Sequence, residues 1–183
     1  MTIDNFAFEL VLQLRNKKLQ IVLAESCTGG LVSATLTKIP GVSDCLCGSA
    51  VTYLDELKTQ WLGVLPQTLA AVTAVSDEVA REMAMGVLNA TKPADVAVSI
   101  TGHLGPDSPA GFDGLIFVCL AIRTTDSVHI ESKSFCLTTV GRLFRQIEAA
   151  ETLFKFATEK LKAAISVSKQ EDLLEAERKI VSN

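Results

Sequence analysis

Aromatic side chains are scarce in this sequence: eight phenylalanines, one tyrosine and one tryptophan make up 5 % of its 183 residues. An interior built on stacked rings is excluded, so alanine, valine, leucine and isoleucine must fill it, a composition that suits a parallel or mixed sheet covered by helices. Basic residues are in the minority, 17 against 21 acidic ones, for a formal net charge of -4. No general positive field draws nucleic acid or anionic lipid, and neither is expected as a partner; an anionic ligand would have to be held by local groups. No apolar run reaches the ~18 residues of a membrane span. The first residues, Met1-Thr2-Ile3-Asp4, lack the basic and apolar stretches of a secretory signal. A cytoplasmic protein without a membrane partner is the expectation.

Metal-binding patterns are missing too. The two histidines, His103 and His129, have no companion at ligand spacing, and no metal site is expected. The five cysteines (Cys27, Cys45, Cys47, Cys119 and Cys136) are scattered and odd in number, which reads as small buried hydrophobes in a reducing compartment. Walker A, G-x-G-x-x-G and G-x-S-x-G motifs are all absent.

What is present is an ordinary globular balance, 48 % hydrophobic and 21 % charged, in a chain long enough for one domain with a real core. Phe6, Leu10, Val11 and Leu14 fall at helical spacing, and 19–24 is a short continuous apolar run, the mark of a strand buried on both faces. Helices are predicted over 31–36, 55–62, 76–89 and 140–165, and strands over 45–53, 95–101, 115–122 and 128–135. Ser76, followed by Asp77 and Glu78, is a helix N-cap signature. Strands alternating with helices imply an α/β fold: a single mixed or mostly parallel sheet flanked by helices on both faces. Residues 1–165 form the domain, and the charged stretch 166–183 is either a solvated helix or disordered. The apolar face running from Leu143 to Leu161 exceeds what one small domain covers, so a homo-oligomer is expected.

Two strand ends lead into glycine turns, Ala24-Glu25-Ser26-Cys27-Thr28-Gly29-Gly30 and Ser99-Ile100-Thr101-Gly102-His103-Leu104-Gly105-Pro106. Ligands collect at the carboxyl ends of strands in open α/β sheets, so both turns face one crevice if they serve a ligand. Gly29 and Gly30 would let backbone amides approach a phosphate or oxyanion closely; the alternative is a plain strand-to-helix turn. Tyr53 closes the next strand, and Lys58, one helical turn on, is either a solvated helix lysine or the base for a nearby serine. A Ser-His-Asp triad through Ser26 and His103 is a further possibility.

Taken together, these three segments resemble the CinA carboxy-terminal domain family, whose active members are nicotinamide-nucleotide amidohydrolases. The similarity runs from about Leu10 to Leu161 and is most specific at Ala24 to Gly30. The resemblance implies deamidation of nicotinamide mononucleotide, a pyridine nucleotide, with Ser26 as nucleophile, Lys58 as base and Tyr53 as proton relay or orienting group. It further implies that Thr28, Gly29, Gly30, Thr101, Gly102, Arg142 and Arg145 bind substrate, and that no cofactor is needed. The family's Lys-Pro-x-Gly segment is replaced here by Gly111-Phe112-Asp113-Gly114, and its Gly-Asp-Arg by a stretch with Gly141-Arg142. Those departures keep a second reading open, a divergent paralogue that binds nucleotide without turning it over.

Overall fold

In the computed structural model, residues 2–181 are described, with side chains described through residue 163. Helix α1 (Ile3–Lys17) starts at a capping box made by Thr2 and Asn5 and buries Ala7, Leu10, Val11 and Leu14, one stripe of the helix. Strand β1 (Ile21–Glu25) follows and is buried along its whole length. Short helix α2 (Leu31–Leu36) and a 3₁₀ turn (Val42–Asp44) lead to β2 (Leu46–Val51). Then come α3 (Asp55–Leu62), α4 (Pro66–Val72) and α5 (Asp77–Ala90), the last capped by the Ser76 side chain, which accepts from the Val79 amide. Strands β3 (Val96–Gly102), β4 (Leu115–Arg123) and β5 (Val128–Cys136) precede α6 (Arg142–Val181).

The five strands form one mixed sheet in the order β2-β1-β3-β4-β5. Strand β1 pairs in parallel with β2 and β3, whereas β3, β4 and β5 run antiparallel. Alternation along the strands feeds two cores. Ile21, Leu23, Val98, Ile100, Ile116 and Val118 face α1, α2 and α6. Val22, Ala24, Ala97, Cys119 and Ala121 face α5 and the end of α3. That two-sided burial is the physical basis of the three-layer α/β arrangement read from the sequence. Within the second layer, a β-carbon at Gly86 would come within 1.8 Å of the Leu62 carbonyl, so α3 and α5 approach at a distance only glycine permits.

Several sequence expectations need correction. Helix α4 and the 3₁₀ turn escaped the periodicity reading because each is too short to show a repeat. Strand β2 is six residues, not nine. Helix α6 starts at Arg142 and continues to Val181, past residue 165; whether 166–183 is solvated concerns side chains outside the described residues. The supposed surplus face of α6 is largely covered within the domain: Ala150, Phe154, Ala157 and Leu161 are buried in the α1 core, while Leu143, at the helix start, is 65 % exposed. Cys27, Cys45 and Cys119 are buried as expected, but Cys47 and Cys136 are exposed, each on the last solvent-facing side of an outer strand. Among the described residues no helix is long and apolar enough to cross a membrane, and no group of three or more His, Cys, Asp or Glu could hold a metal.

Candidate active site

The chain leaves β1 at Ser26, whose amide still donates to the Ile100 carbonyl of β3 (3.0 Å). Beyond the strand ends lies a cavity of about 280 Å³, and Ser26, Tyr53, Lys58, Thr101, Gly102 and Arg142 all line it. Six of the residues singled out from the sequence thus meet in one place, drawn from β1, β3, the β2–α3 connection, α3 and α6.

The Ser26 side chain is nearly buried, and its hydroxyl has no hydrogen-bond partner among the described residues. Its neighbour Cys27 also lines the cavity, and burial pushes that thiol up to about 12, so thiolate is rare near neutrality. Lys58 is only 1 % exposed, and it is not a solvated helix lysine. Its Nζ donates to Asp55 Oδ1 (3.0 Å) and to the Tyr53 carbonyl (3.4 Å). The Tyr53 hydroxyl accepts from Arg142 Nη2 (2.6 Å), and Arg142 Nη1 donates to the Gly105 carbonyl (3.0 Å). Arg142 thereby ties the β2–α3 corner to the second glycine loop across the cavity. Thr101 is committed: its hydroxyl donates to the Ala74 carbonyl (2.8 Å), which leaves only acceptor capacity, suited to a substrate N–H rather than to an oxyanion. Gly102 is required by packing as much as by any ligand, since a β-carbon there would lie 2.5 Å from Ile116 Cγ2.

Four residues expected at the site do not line the cavity. The Gly29 amide donates to the Ser26 carbonyl (3.0 Å), and the Gly30 amide to the Glu25 carboxylate (3.0 Å). Thr28 is fully buried, its hydroxyl on Glu25 (2.8 Å) and its carbonyl on Gln146 Nε2 (2.8 Å). The reason is Glu25, a wholly buried carboxylate that also accepts from the amides of Val32 and Ser33 and from the Ser49 hydroxyl. The amino end of α2 therefore receives the protein's own anion, and the glycine amides are not free for a phosphate. Arg145 is also engaged elsewhere, in a bidentate pair with Asp113 (2.5 and 2.7 Å) and on the Thr139 carbonyl (3.0 Å). His103 lines the cavity and meets Phe112 edge-on at 6.0 Å. No carboxylate among the described residues bonds its ring, so the third member of a triad is missing.

Sequence reasoning missed Asp55 and Glu25 as parts of this arrangement. Asp55 had a signal, three residues before Lys58 on the same helix face. Glu25 had only its place at the end of an apolar run.

The start of α6, which carries Arg142, is held by Glu148. Its carboxylate accepts from the amides and hydroxyls of both Thr138 and Thr139 at 2.7 to 3.1 Å. Burial pushes the carboxyl up, but those hydrogen bonds outweigh it and hold it at about 2, below the ordinary 4.5. A depressed folded-state pKa adds stability that is present above the unfolded value and lost as pH falls through the folded one. Wild-type protein is expected to lose stability between pH 4.5 and 2 more steeply than Glu148→Gln, with the two curves converging at the acid end. Urea unfolding at a series of pH values checks this.

The fold and the cavity define a three-layer α/β domain with a serine and a buried lysine at the strand ends. The family model for the CinA C-terminal domain matches residues 4–161, and the chain belongs to that family. It is 40 % identical over 154 residues to a CinA-like protein of Chloroherpeton thalassium, covering 82 % of this chain and 36 % of that protein. It is 43 % identical over 117 residues to a putative competence-damage inducible protein of Alkaliphilus oremlandii, covering 61 % of this chain and 27 % of the relative. The chain thus spans about a third of the length of the curated relatives it matches. Among solved structures it superposes on a competence-damaged protein (CinA) superfamily member from Klebsiella pneumoniae with a TM-score of 0.82 at 27 % identity, covering 89 % of this chain and 99 % of that one. A competence/damage-inducible protein from Agrobacterium tumefaciens gives 0.80 at 29 %, covering 87 % and 95 %.

Proposed function

We propose that this chain is a serine amidohydrolase that converts nicotinamide mononucleotide and water into nicotinate mononucleotide and ammonia. The observation that carries the reading is the unpartnered Ser26 hydroxyl in the same cavity as the buried Lys58 amine. The substrate class comes from the family resemblance. Ser26 Oγ attacks the amide carbonyl, its proton passes to Lys58 Nζ, and that proton then leaves with the amine as ammonia. Water next hydrolyses the Ser26 ester, Lys58 taking a proton from it, and the serine is restored. Lys58 accepts the proton through the lone pair of its neutral amine, and Asp55 Oδ1, 3.0 Å from Nζ, holds that nitrogen in place. Tyr53 and Arg142, joined by a hydrogen bond at the cavity mouth, are placed to orient a phosphorylated ligand. The test is ammonia release from nicotinamide mononucleotide by the purified protein.

One observation favours the second reading, a binding module without turnover. Asp113 lies in the segment that departs from the family pattern, and it neutralises Arg145, which the resemblance assigns to the substrate. Nucleotide binding by calorimetry without ammonia release would select that reading.

Self-association is part of the proposal. With most of the α6 stripe buried, the exposed apolar residues of that segment are at the helix start, where Val140, Leu143 and Phe144 are 85, 65 and 60 % exposed, and these are the surface proposed for a second copy. Light scattering at micromolar concentration is expected to give a dimer or larger; a 19.6 kDa particle would contradict it.

A further inference from the structure

Three neighbouring strands end in hydroxyl residues on one face of the sheet. The register pairs Glu25 of β1 with Val51 of β2 on one side and with Ile100 of β3 on the other, so Thr52, Ser26 and Thr101 come next in a row. The ladder continues through them: the Thr52 amide donates to the Glu25 carbonyl (2.8 Å), and the Ser26 amide to the Ile100 carbonyl. Two residues earlier, Ala50, Ala24 and Ser99 all face the α5 layer, Ser99 through a hydrogen bond to the Ala80 carbonyl. Strand alternation puts Thr52, Ser26 and Thr101 on that same side.

The three hydroxyls are not equivalent. Thr101 is satisfied by Ala74, and Ser26 opens onto the cavity. Thr52 is fully buried, and its Oγ1 bonds nothing among the described residues. A buried polar group left unpaired is destabilising, and valine would fill the same volume without that cost. Thr52 does not line the cavity, so it can act on a ligand only through its neighbour. Adjacent strands lie about 4.8 Å apart, which brings register neighbours on one face within one rotamer change of a hydrogen bond.

We propose that Thr52 is a positioning residue for Ser26. Resting on the reading of Ser26 as the nucleophile, the proposal is that Thr52 Oγ1 donates to a lone pair of Ser26 Oγ when a ligand is bound. That bond fixes the rotamer that faces the cavity and leaves the serine's own proton free to depart toward Lys58. Such bonds are commonly open in the unliganded state and close in the complex.

Two variants and two readouts test it. Thr52→Val removes the hydroxyl at constant shape, and Thr52→Ser keeps it. The first readout is ammonia release from nicotinamide mononucleotide; the second is the rate at which a fluorophosphonate labels Ser26, followed by intact mass, which needs no knowledge of the substrate. Thr52→Val is expected to melt at or above the wild-type temperature while both rates fall on the order of tenfold to a hundredfold, with KM unchanged. Thr52→Ser is expected to retain both rates within about threefold. Equal labelling of wild type and Thr52→Val overturns the proposal. So does a Thr52→Val protein that fails to fold, because the hydroxyl would then serve the fold. Absence of Ser26 labelling in wild type also overturns it, since an unactivated serine leaves nothing to position. Ser26 labelling that responds to Thr52, without ammonia release from the nucleotide, supports Thr52 and refutes only the substrate.

Discussion

Ser26→Ala is expected to remove ammonia release by a factor on the order of 10⁴ or more, the scale of losing a nucleophile that works as part of a unit. Folding should be almost untouched, because the Ser26 hydroxyl is bonded to nothing else among the described residues. Nucleotide binding, measured by calorimetry, should persist, since the groups at the mouth stay in place. Lys58→Met should cost about 10²–10⁴-fold, the range of a positioned general base. It also leaves Asp55 without its ion pair, so the comparison with a Lys58→Met, Asp55→Asn double variant isolates the proton transfer from the lost pairing. Should Ser26→Ala retain wild-type turnover, the nucleophile lies elsewhere and the proposed chemistry fails.

The largest effect on stability is expected at Glu25. Its carboxylate accepts five hydrogen bonds, from the amides of Gly30, Val32 and Ser33 and the hydroxyls of Thr28 and Ser49, and the side chain is fully buried. Glu25→Ala strands these donors in the interior, where each unsatisfied group costs roughly 1–3 kcal/mol. A loss of about 3 kcal/mol or more is expected, measured by urea unfolding, because the backbone amides have no rotamer through which to find new partners. Glu25→Gln should cost less, as one acceptor oxygen survives while the amide nitrogen confronts N–H groups. A Glu25→Ala protein within about 1 kcal/mol of wild type would show that water replaces the carboxylate and that the end of α2 is more open than its burial indicates.

The fold was legible in the sequence because its strands carry their own signal. The short apolar run over 19–24 reads as a buried strand, and β1 is buried along its length; the Ser76 cap announces α5. The positions of Ser26, Tyr53 and Lys58, at strand ends and one helical turn beyond, were legible in the same way, whereas their roles rest on the resemblance and the burial of Lys58 had no local signal. The reading failed where the outcome depended on distant partners. Gly29 and Gly30 look like an anion cradle in any sequence, and only the return of the Glu25 side chain onto α2 shows that the cradle is filled. The resemblance assigned Arg145 to the substrate, and nothing local reveals Asp113, 32 residues earlier, as its partner. The apolar face of α6 looked unpaired because α1, which covers most of it, comes from the opposite end of the chain.

The cavity rim and the turn behind it are tied together by groups that meet from far along the chain. From the first turns of α6, Arg142 reaches Gly105 and Tyr53, and Gln146 reaches Thr28, at sequence separations of 37, 89 and 118. Contacts of that kind form only after the large loops between them have closed, and a helix end held by a few polar bonds opens at lower free energy than the core beneath it. Unravelling one or two turns would therefore dismantle the entrance while Ser26 and Lys58 kept their places. Amide exchange at the start of α6 then becomes a gauge of how often that rim comes apart, and a ligand that grips Arg142 would slow that exchange in proportion to its affinity.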